Sequence, residues 1–297
     1  MDLSWLEDFL ALAETASFSR AARLRAVTQP AFSRRIRALE AWVGTPLFDR
    51  ATHRVQLTPG GQRFRGVAEE VWRRLMQGRE ETRAAATQAA PALTFAATHV
   101  LSLTFFPAWL RGLEAAGPLG AIRLVSNTMA ACEQIMLHGE AEFLLCHHHP
   151  AAPGPLDGSG FRSVVVGGDV LVPVAARRAT AGPAPALPGT ATAPLPLLAY
   201  SSESGMGRIF AAARARSERD AWLRPVFTSH LAAVLRTMAR EGRGLAWLPR
   251  SLIEDDLARG DLVRAGDEGW DVPMEIRVHR PRGRLGEAAE RFWALLG

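Results

Sequence analysis

The stretch from Thr28 to Glu40 constrains the fold of this chain more than any other, because it predicts a helix with one apolar face and one arginine face. Thr28 is placed to cap this helix, and Pro30 falls in the first turn, where its missing N–H leaves no group unsatisfied. The apolar positions recur at helical spacing: Phe32, Ile36, Leu39 and Val43. The opposite side carries Pro30, Ser33, Arg34 and Arg37. Such a face fits the major groove of DNA.

The preceding residues predict the other helices of a helix-turn-helix. A first amphipathic helix is indicated by Trp5, Leu6, Phe9, Leu12 and Ala13. A short second helix follows over residues 20–24, with Ser19 as its predicted N-cap. Ala21 and Ala22 are small enough for the two helices to approach closely, and the turn at Val27 is short enough to hold the third helix across the second.

The charge of this region predicts a polyanionic partner. Residues 20–65 contain ten arginines against two acidic residues. Residues 46–61 alternate short apolar positions with turn residues, which predicts a two-stranded wing whose Arg50 and Arg54 reach phosphates. The residues predicted to contact double-stranded DNA are therefore Ser19, Thr28, Gln29, Pro30, Ser33, Arg34, Arg37, Arg50 and Arg54.

Residues 62–88 contain no proline and predict one long helix. Its apolar positions recur at helical spacing: Phe64, Val67, Val71 and Leu75. Because this stripe has no obvious partner in its own chain, we expect a second subunit to cover it.

Composition suits a folded protein of two or three compact units, with 48% hydrophobic and 22% charged residues in 297. Every basic residue is arginine. Residues 1–20 show no signal-peptide pattern, and no stretch is apolar enough to span a membrane. We therefore expect a cytoplasmic protein with no membrane partner, in which Cys132 and Cys146 are reduced thiols.

Several motifs at fixed offsets resemble the LysR-type transcriptional regulators. They are Thr28-Gln-Pro-Ala-Phe-Ser33, Ile36, Leu39-Glu40, Val43-Gly44, Leu47-Phe48, Arg50 and Leu57-Thr58-x-Gly60, with Gly242-Arg-Gly-Leu-Ala-Trp-Leu-Pro249 further along. Within that family, Ser204-Gly-Met-Gly-Arg208 and Ala289-Glu-Arg-Phe-Trp293 are most similar to the hypochlorite-responsive subfamily. The resemblance implies a dimer or tetramer that forms through the helix of residues 62–90 and the domain that follows it.

From residue 91 onward, short apolar strands alternate with helical segments, which favours an α/β fold. The predicted strands are Leu93–Ala97, Ile122–Ser126, Phe143–Cys146, Val170–Val174, Leu195–Ala199, Leu245–Trp247 and Glu275–Val278. The resemblance implies two Rossmann-like subdomains, as in periplasmic binding proteins, at residues 91–166 with 268–297 and at residues 167–267. We thus predict an all-α winged helix-turn-helix over residues 1–61, a linker helix over 62–90 and an effector-binding domain over 91–297.

Polar residues that follow the strands and precede helices predict an effector site between the two subdomains. These candidates are Thr98, His99, Ser102, Thr128, His148, Ser202, Met206, Thr228 and His230. Helix capping is the alternative role at each serine and threonine. Convergence of both sets on one cleft favours a small-molecule site.

Two alternatives to a small-molecule effector are a bound metal ion and the oxidation of a methionine. The run Cys146-His-His-His149 suggests a metal, but neighbouring side chains in a strand point to opposite faces, and we predict no metal site and no cofactor. Met206 lies in a polar, glycine-flanked segment where its oxidation would add an oxygen beside the cleft. Related hypochlorite sensors use further methionines, whereas this chain has Leu113 and Leu231 at the expected positions.

Enzyme classes find little support in the sequence. There is no Gly-x-Ser-x-Gly elbow, no phosphate-binding glycine loop and no lysine for a Schiff base, so we predict no catalytic residues. A solute-binding protein is a further alternative, but it would not need an arginine-faced N-terminal helix. The sequence therefore predicts a DNA-binding regulator that responds to a small effector, with oxidant sensing at Met206 as the alternative.

Overall fold

The structure, a computed structural model, describes residues 2–49, 55–87, 93–115, 117–158, 160–177 and 185–297. The chain divides into two compact units. One comprises Met1–Ala89 with Leu137–Glu140, and the other comprises Ala90–Met136 with Ala141–Gly297.

Three helices open the first unit: α1 (Leu3–Thr15), α2 (Phe18–Leu24) and α3 (Gln29–Val43). Thr28 caps α3 as predicted, because its hydroxyl accepts a hydrogen bond from the backbone N–H of Ala31. The predicted cap of α2 was wrong. Ser17 caps that helix and Ser19 lies inside it, since the extended backbone needed at an N-cap occurs at Ser17.

The three helices enclose the apolar stripe predicted for α3. Phe32, Ile36 and Leu39 are fully buried, and Val43 packs at the edge of the same core. The small Ala21 and Ala22 are also buried, which lets α2 approach its neighbours closely. Gly44 ends α3 at a φ of 85°, a conformation that glycine adopts at little cost.

A two-stranded antiparallel wing follows, formed by β1 (Phe48–Asp49) and β2 (Gln56–Leu57). The long helix α4 (Pro59–Thr87) begins three residues before the predicted start. Its first turn is held by Thr58, whose hydroxyl accepts from the N–H of Gly61 and donates to the carbonyl of Pro46. Pro59 suits the first turn of α4, because a backbone N–H there would have no partner within the helix.

The apolar stripe of α4 divides between two environments. Phe64 packs edge-on against Phe9 with ring centroids 5.0 Å apart, so the expectation that the whole stripe lacks a partner in its own chain was wrong. Val67, Val71 and Leu75 remain 55%, 43% and 39% exposed. For these three side chains, contact with a partner subunit stays a prediction.

The second unit is an α/β structure, as predicted. Its strands are β3 (Leu93–Thr98), β4 (Ile122–Asn127), β5 (Phe143–His148), β6 (Phe161–Ala176), β7 (Leu195–Tyr200), β8 (Leu223–Ser229), β9 (Ala246–Pro249), β10 (Leu262–Arg264) and β11 (Val272–Pro281). Its helices are α5 (His99–Thr104), α6 (Phe106–Glu114), α7 (Met129–Leu137), α8 (Gly205–Arg216), α9 (Ala232–Arg240), α10 (Arg250–Arg259) and α11 (Glu287–Ala294).

The second unit has two halves, one that contains β3, β4 and β5 and one that contains β7, β8 and β9. Two long antiparallel strands, β6 and β11, connect them. Strands run in the order β10-β6-β11-β5-β3-β4, with β9 also paired to β6, while β7 and β8 form a separate parallel pair. β3 is parallel to both β4 and β5, so the carboxyl ends of these three strands meet at one edge. Of the predicted site residues, Thr98, His99, Thr128 and His148 lie at or just after this edge.

Separate apolar cores stabilise the two halves. One surrounds Phe95, Phe143 and Phe292, whose rings contact one another. The other half has cores around Leu235 and Trp247. Gly244 lies so close to the carbonyl of Pro196 that a Cβ atom would stand 2.6 Å from its oxygen, so only glycine fits there.

No helix in the described part of the chain is both long enough and apolar enough to cross a bilayer.

Candidate functional site

The exposed side of α3 presents the side chains predicted to face DNA. Thr28, Gln29, Pro30, Arg34 and Arg37 are exposed, and Ser33 is half-buried. The guanidinium of Arg37 donates to the Ser33 hydroxyl at 3.3 Å, which orders the two side chains along one turn. The same face carries no acidic side chain, so it can approach phosphates and base edges.

Ser19 lies on the exposed surface of α2 next to the start of α3. Its hydroxyl donates to the Gln29 side-chain oxygen at 3.1 Å, joining the two helices at their solvent side. This contact places both residues beside the arginine face. Arg50 and Arg54, predicted to contact phosphates from the wing, lie outside the described residues.

Two of the ten arginines in residues 20–65 form ion pairs with a buried carboxylate. Asp8 is fully buried and accepts from Arg25 at 2.9 Å and from Arg35 at 3.4 Å, while Glu7 also pairs with Arg25. Arg25 and Arg35 therefore neutralise an acidic group inside the fold. This pairing could not be predicted from the sequence, because Asp8 lies 17 positions from Arg25 and 27 positions from Arg35.

The second unit contains a cavity between its two halves. Strands β3, β4 and β5 contribute Thr98, His99, Asn127, Thr128 and His147 at or just after their carboxyl ends. The other half contributes residues at the starts of α8 and α9: Ser204, Gly205, Met206, His230 and Ala232. The structure thus brings together most of the candidates that strand ends and helix starts predicted.

Two histidines face each other across this cavity. The ring centroids of His99 and His230 are 6.2 Å apart, and His99 Nδ1 lies 3.0 Å from the Ser126 hydroxyl. Burial lowers the pKa of His99, and the nearby His230 lowers it further. Ser102 lies behind this pair and donates to Ser126 at 3.0 Å, so it supports the wall without lining it.

Helix starts point into the cavity from both halves. Thr128 caps α7 by accepting from the N–H of Ala131 at 3.2 Å, and Ser204 caps α8 by accepting from Gly207 at 3.4 Å. Both hydroxyls therefore have a structural role as well as a place in the wall. The hydroxyl of Thr98 is buried and has no hydrogen-bond partner among the described residues.

His147 is held by a hydrogen-bonded network behind the cavity. Its Nε2 lies 3.2 Å from Asp169 Oδ2, which also accepts from the Ser251 hydroxyl at 2.6 Å. Although burial raises the pKa of Asp169, these hydrogen bonds hold it below its ordinary value. Asp169 is therefore ionised at neutral pH.

A second cavity shares Met129, His147 and Gly205 with the first. It is lined by Glu133, His148, Asp157, Arg208 and His279, together with apolar neighbours. His148, predicted for the effector site, faces this second cavity and stands 3.5 Å from Asp157. His279 is 3% exposed, and burial lowers its pKa to about 4, so this ring is neutral at physiological pH.

Besides Ser102 and His148, three further candidate residues have other surroundings than the sequence predicted. Ser202 and Thr228 are exposed and do not line either cavity. Met206 lines the first cavity, but it is only 7% exposed and packs in an apolar core, so its predicted polar setting was wrong. Met206 was predicted to precede a helix, whereas it lies in the first turn of α8.

Both cysteines are buried thiols. Burial raises the pKa of Cys132 to about 12 and raises that of Cys146 as well, so neither is a reactive thiolate at neutral pH. Cys132 packs in α7, as predicted for a core residue. Within the described residues, no group of three or more His, Cys, Asp and Glu side chains is arranged to hold a metal ion.

Comparison with known proteins identifies both units. Residues 3–62 match the family "Bacterial regulatory helix-turn-helix protein, lysR family", and residues 86–297 match "LysR substrate binding domain". The HTH-type transcriptional regulator YjiE of Escherichia coli is 30% identical over 293 residues, covering 99% of this chain and 93% of that protein.

Solved structures agree with this result. The full-length regulator HypT of Salmonella typhimurium, described as hypochlorite-specific, has a TM-score of 0.59 and 29% identity, covering 100% of this chain and 97% of HypT. DarR of Vibrio fischeri, solved in complex with DNA, has a TM-score of 0.56 and 30% identity, covering 100% and 98%. The N-terminal match excludes the solute-binding alternative. The chain belongs to the LysR family of DNA-binding transcriptional regulators, with a helix-turn-helix and an effector-binding domain.

Proposed function

We propose that this regulator reads its operator through the exposed face of α3 and responds to a small molecule bound in the cavity between the halves of its effector domain. Contact with DNA would come from Ser19, Thr28, Gln29, Pro30, Ser33, Arg34, Arg37, Arg50 and Arg54. Because its partner is double-stranded DNA, we infer that it works in the cytoplasm, as a regulator and not as an enzyme.

The single observation that carries the effector proposal is the composition of the cavity wall. Thr98, Thr128 and His147 come from one half, whereas Ser204 and His230 come from the other. A ligand that binds both sides stabilises their closed arrangement relative to an open one. We assign residues 91–166 with 268–297 to one moving subdomain and residues 167–267 to the other.

The signal must reach two DNA-binding heads at once. Val67, Val71 and Leu75 offer an exposed apolar stripe on α4, and two such stripes can pack together. We infer a dimer, or a tetramer built from dimers, that forms through α4 (residues 62–90 as predicted) and the effector domain. Subdomain closure would then change the spacing of the heads.

A cavity variant tests this proposal. His230→Phe keeps a ring at the wall but removes both nitrogens. The operator is taken from the genomic DNA fragments that the wild-type chain selects. We expect the variant to bind this operator normally. Its transcriptional response to the natural signal should be lost. Thr228→Ala, exposed and outside the cavity, is the matched control and should respond like the wild type. An unchanged response in His230→Phe would contradict the cavity as the effector site.

A second candidate signal is an oxidant that modifies Met206. Two observations favour it: the similarity to HypT, and the position of Met206 in the cavity wall. Leu113 and Leu231 stand where related sensors have methionines, which favours the small-molecule effector. Met206→Leu separates the two, because leucine has a similar volume and no sulfur. A loss of hypochlorite response in this variant, with normal DNA binding, would support the oxidant alternative.

A further inference from the structure

The carboxylate of Asp8 joins α1 both to the end of α2 and to α3. Asp8 lies in α1 and is fully buried. Its Oδ1 accepts from the guanidinium of Arg25 at 2.9 Å, and its Oδ2 accepts from that of Arg35 at 3.4 Å. A buried carboxylate is tolerated only where it is paired and hydrogen-bonded, so folding holds both arginines against α1.

The two arginines lie on either side of the turn that joins α2 to α3. Arg25 is the C-cap of α2, and the next residue, Ala26, has a φ of 52°. A residue with a Cβ atom adopts this left-handed conformation at a cost, so the turn needs support from its surroundings. The N–H of Val27 donates to the carbonyl of Ala22 at 3.0 Å, and the contact of Arg25 with Asp8 ties the same turn to α1.

Arg35 is directed away from the exposed face of α3 that carries Ser33, Arg34 and Arg37. Because successive helical residues are about 100° apart, Arg35 lies about 150° around the helix from the middle of that face. Its guanidinium instead contacts Asp8. The contact therefore fixes the rotation of α3 about its own axis, and with it the direction in which the exposed face points.

The cluster around Asp8 has no net formal charge. Glu7 also pairs with Arg25, so two carboxylates face two guanidiniums. Non-specific DNA affinity depends on the cationic groups that reach phosphates, whereas specific affinity depends on how the base-reading side chains are placed. A cluster of this kind can therefore act on specific affinity without adding to non-specific affinity.

We propose that Asp8 is a positioning residue for operator recognition: it acts through Arg25 and Arg35 to fix α3 for base reading, and neither arginine contacts DNA. This inference rests on the proposed function, because it requires that α3 enters the groove. The operator affinity of Arg34→Ala tests that placement independently of Asp8, so the two can fail separately.

Two DNA duplexes separate positioning from charge. One is the operator that the wild-type chain selects, and the other has the same length and base composition in a scrambled order. Fluorescence anisotropy with the full-length protein over a series of salt concentrations gives both affinities and their salt dependence. In Asp8→Asn we expect operator affinity to fall by about tenfold or more, as for a lost base contact, while affinity for the scrambled duplex does not fall.

Glu69→Gln is the matched control. It changes the net charge by the same amount as Asp8→Asn, and it also takes a carboxylate from an arginine, because Glu69 pairs with Arg65 on α4 at 2.8 Å. This pair does not touch α3. The ratio of operator affinity to scrambled-duplex affinity should therefore stay at its wild-type value, and a selective loss equal to that of Asp8→Asn would overturn the proposal.

Arg35→Met shows whether this arginine contacts DNA, and it decides the matter if Asp8→Asn does not fold, because Asp8 keeps its contact with Arg25. A lost phosphate contact lowers the slope of log affinity against log salt concentration by about 0.9 for each DNA-binding head. We expect an unchanged slope and the same selective loss of operator affinity. Asp8→Asn combined with Arg35→Met should lose no more operator affinity than Asp8→Asn alone, since both changes break one contact.

Thermal unfolding checks that each variant is folded at the temperature of the binding measurement. An unchanged affinity ratio in folded Asp8→Asn or in Arg35→Met would overturn the proposal, as would an equal loss on both duplexes. A slope lowered by about 0.9 for each head in Arg35→Met would show that this arginine binds phosphate and would also overturn it. Additive losses in the double variant would show that Asp8 does not act through Arg35, with the same consequence.

Discussion

The carboxylate of Glu133 accepts a hydrogen bond from the guanidinium of Arg208 at 2.8 Å, which joins α7 of one half of the effector domain to α8 of the other. Glu133 is 5% exposed, whereas a third of the Arg208 side chain reaches solvent. Burial raises the pKa of Glu133, and the bond from Arg208 offsets part of this rise. The ion pair therefore keeps a carboxylate charged in a place that disfavours charge.

Removing the guanidinium should destabilise the effector domain in a pH-dependent way. In Arg208→Met the pKa of Glu133 should rise further, so the lost stability should be small below the ordinary pKa of glutamate and grow as the pH increases through the raised value. We expect a deficit of about 1–3 kcal/mol at about pH 8, since Arg208 is partly exposed. Urea unfolding at about pH 5 and pH 8 measures it. In the control, Arg208→Met is combined with Glu133→Gln, which has no titrating carboxylate at this position. A pH-dependent difference in stability between this double variant and Glu133→Gln would contradict this account.

Arg34 should contribute to specific DNA binding without stabilising the fold. It is exposed at the centre of the arginine face of α3. Arg34→Ala should weaken operator binding by about 1–3 kcal/mol if the guanidinium reads a base edge. Fluorescence anisotropy with the selected operator measures this loss, and Arg111→Ala, exposed in the effector domain, is the control. Equal affinities for Arg34→Ala and the wild type would show that this face does not enter the groove.

Val71 should lie in the subunit interface. It is 43% exposed on the apolar stripe of α4, so an aspartate there would place a charge in the interface that the stripe predicts. Val71→Asp should convert the oligomer to monomers and weaken operator binding, because two half-sites would no longer be held together. Sedimentation velocity distinguishes the two states. Gln62→Asp, exposed on the opposite side of α4, should remain assembled, and an intact oligomer in Val71→Asp would refute the interface.

Glu290 should stabilise the effector domain at neutral pH and lose this contribution in acid. Hydrogen bonds from the buried Arg280 lower the pKa of Glu290 to about 2. Because the folded pKa is depressed, the stabilisation is present above the ordinary glutamate pKa of about 4.3 and disappears as the pH falls toward 2. Glu290→Gln should cost about 1–2 kcal/mol at pH 7, after allowing for the partial exposure of this carboxylate. The stabilities of variant and wild type should converge in acid, whereas a constant difference would contradict the ion pair.

Local patterns predicted the elements that depend on neighbouring residues. The stripe of α3 and the apolar runs of β3, β4 and β5 follow from periods of 3.6 and from short buried strands, which a sequence displays directly. β8 was missed because Arg224 and Pro225 interrupt it, a pattern that suits only an edge strand. The predicted strand over Val170–Val174 covered only part of β6, because the first half of β6 is partly exposed.

Long-range pairings could not be read from the chain. His147, Asp169 and Ser251 lie 22 and 82 positions apart, and only the crossing of β6 between the two halves brings them together. The same holds for Asp8 with Arg35. Strand ends predicted which polar residues approach the cleft, whereas their hydrogen-bond partners depended on tertiary packing.

The transcriptional response of His230→Phe, measured together with its operator binding, tests most directly the central claim that a ligand in the cavity between the halves of the effector domain controls this regulator. The account predicts normal operator binding and a lost response to the natural signal in His230→Phe, with a wild-type response in Thr228→Ala. Normal operator binding with an unchanged response in His230→Phe would contradict it.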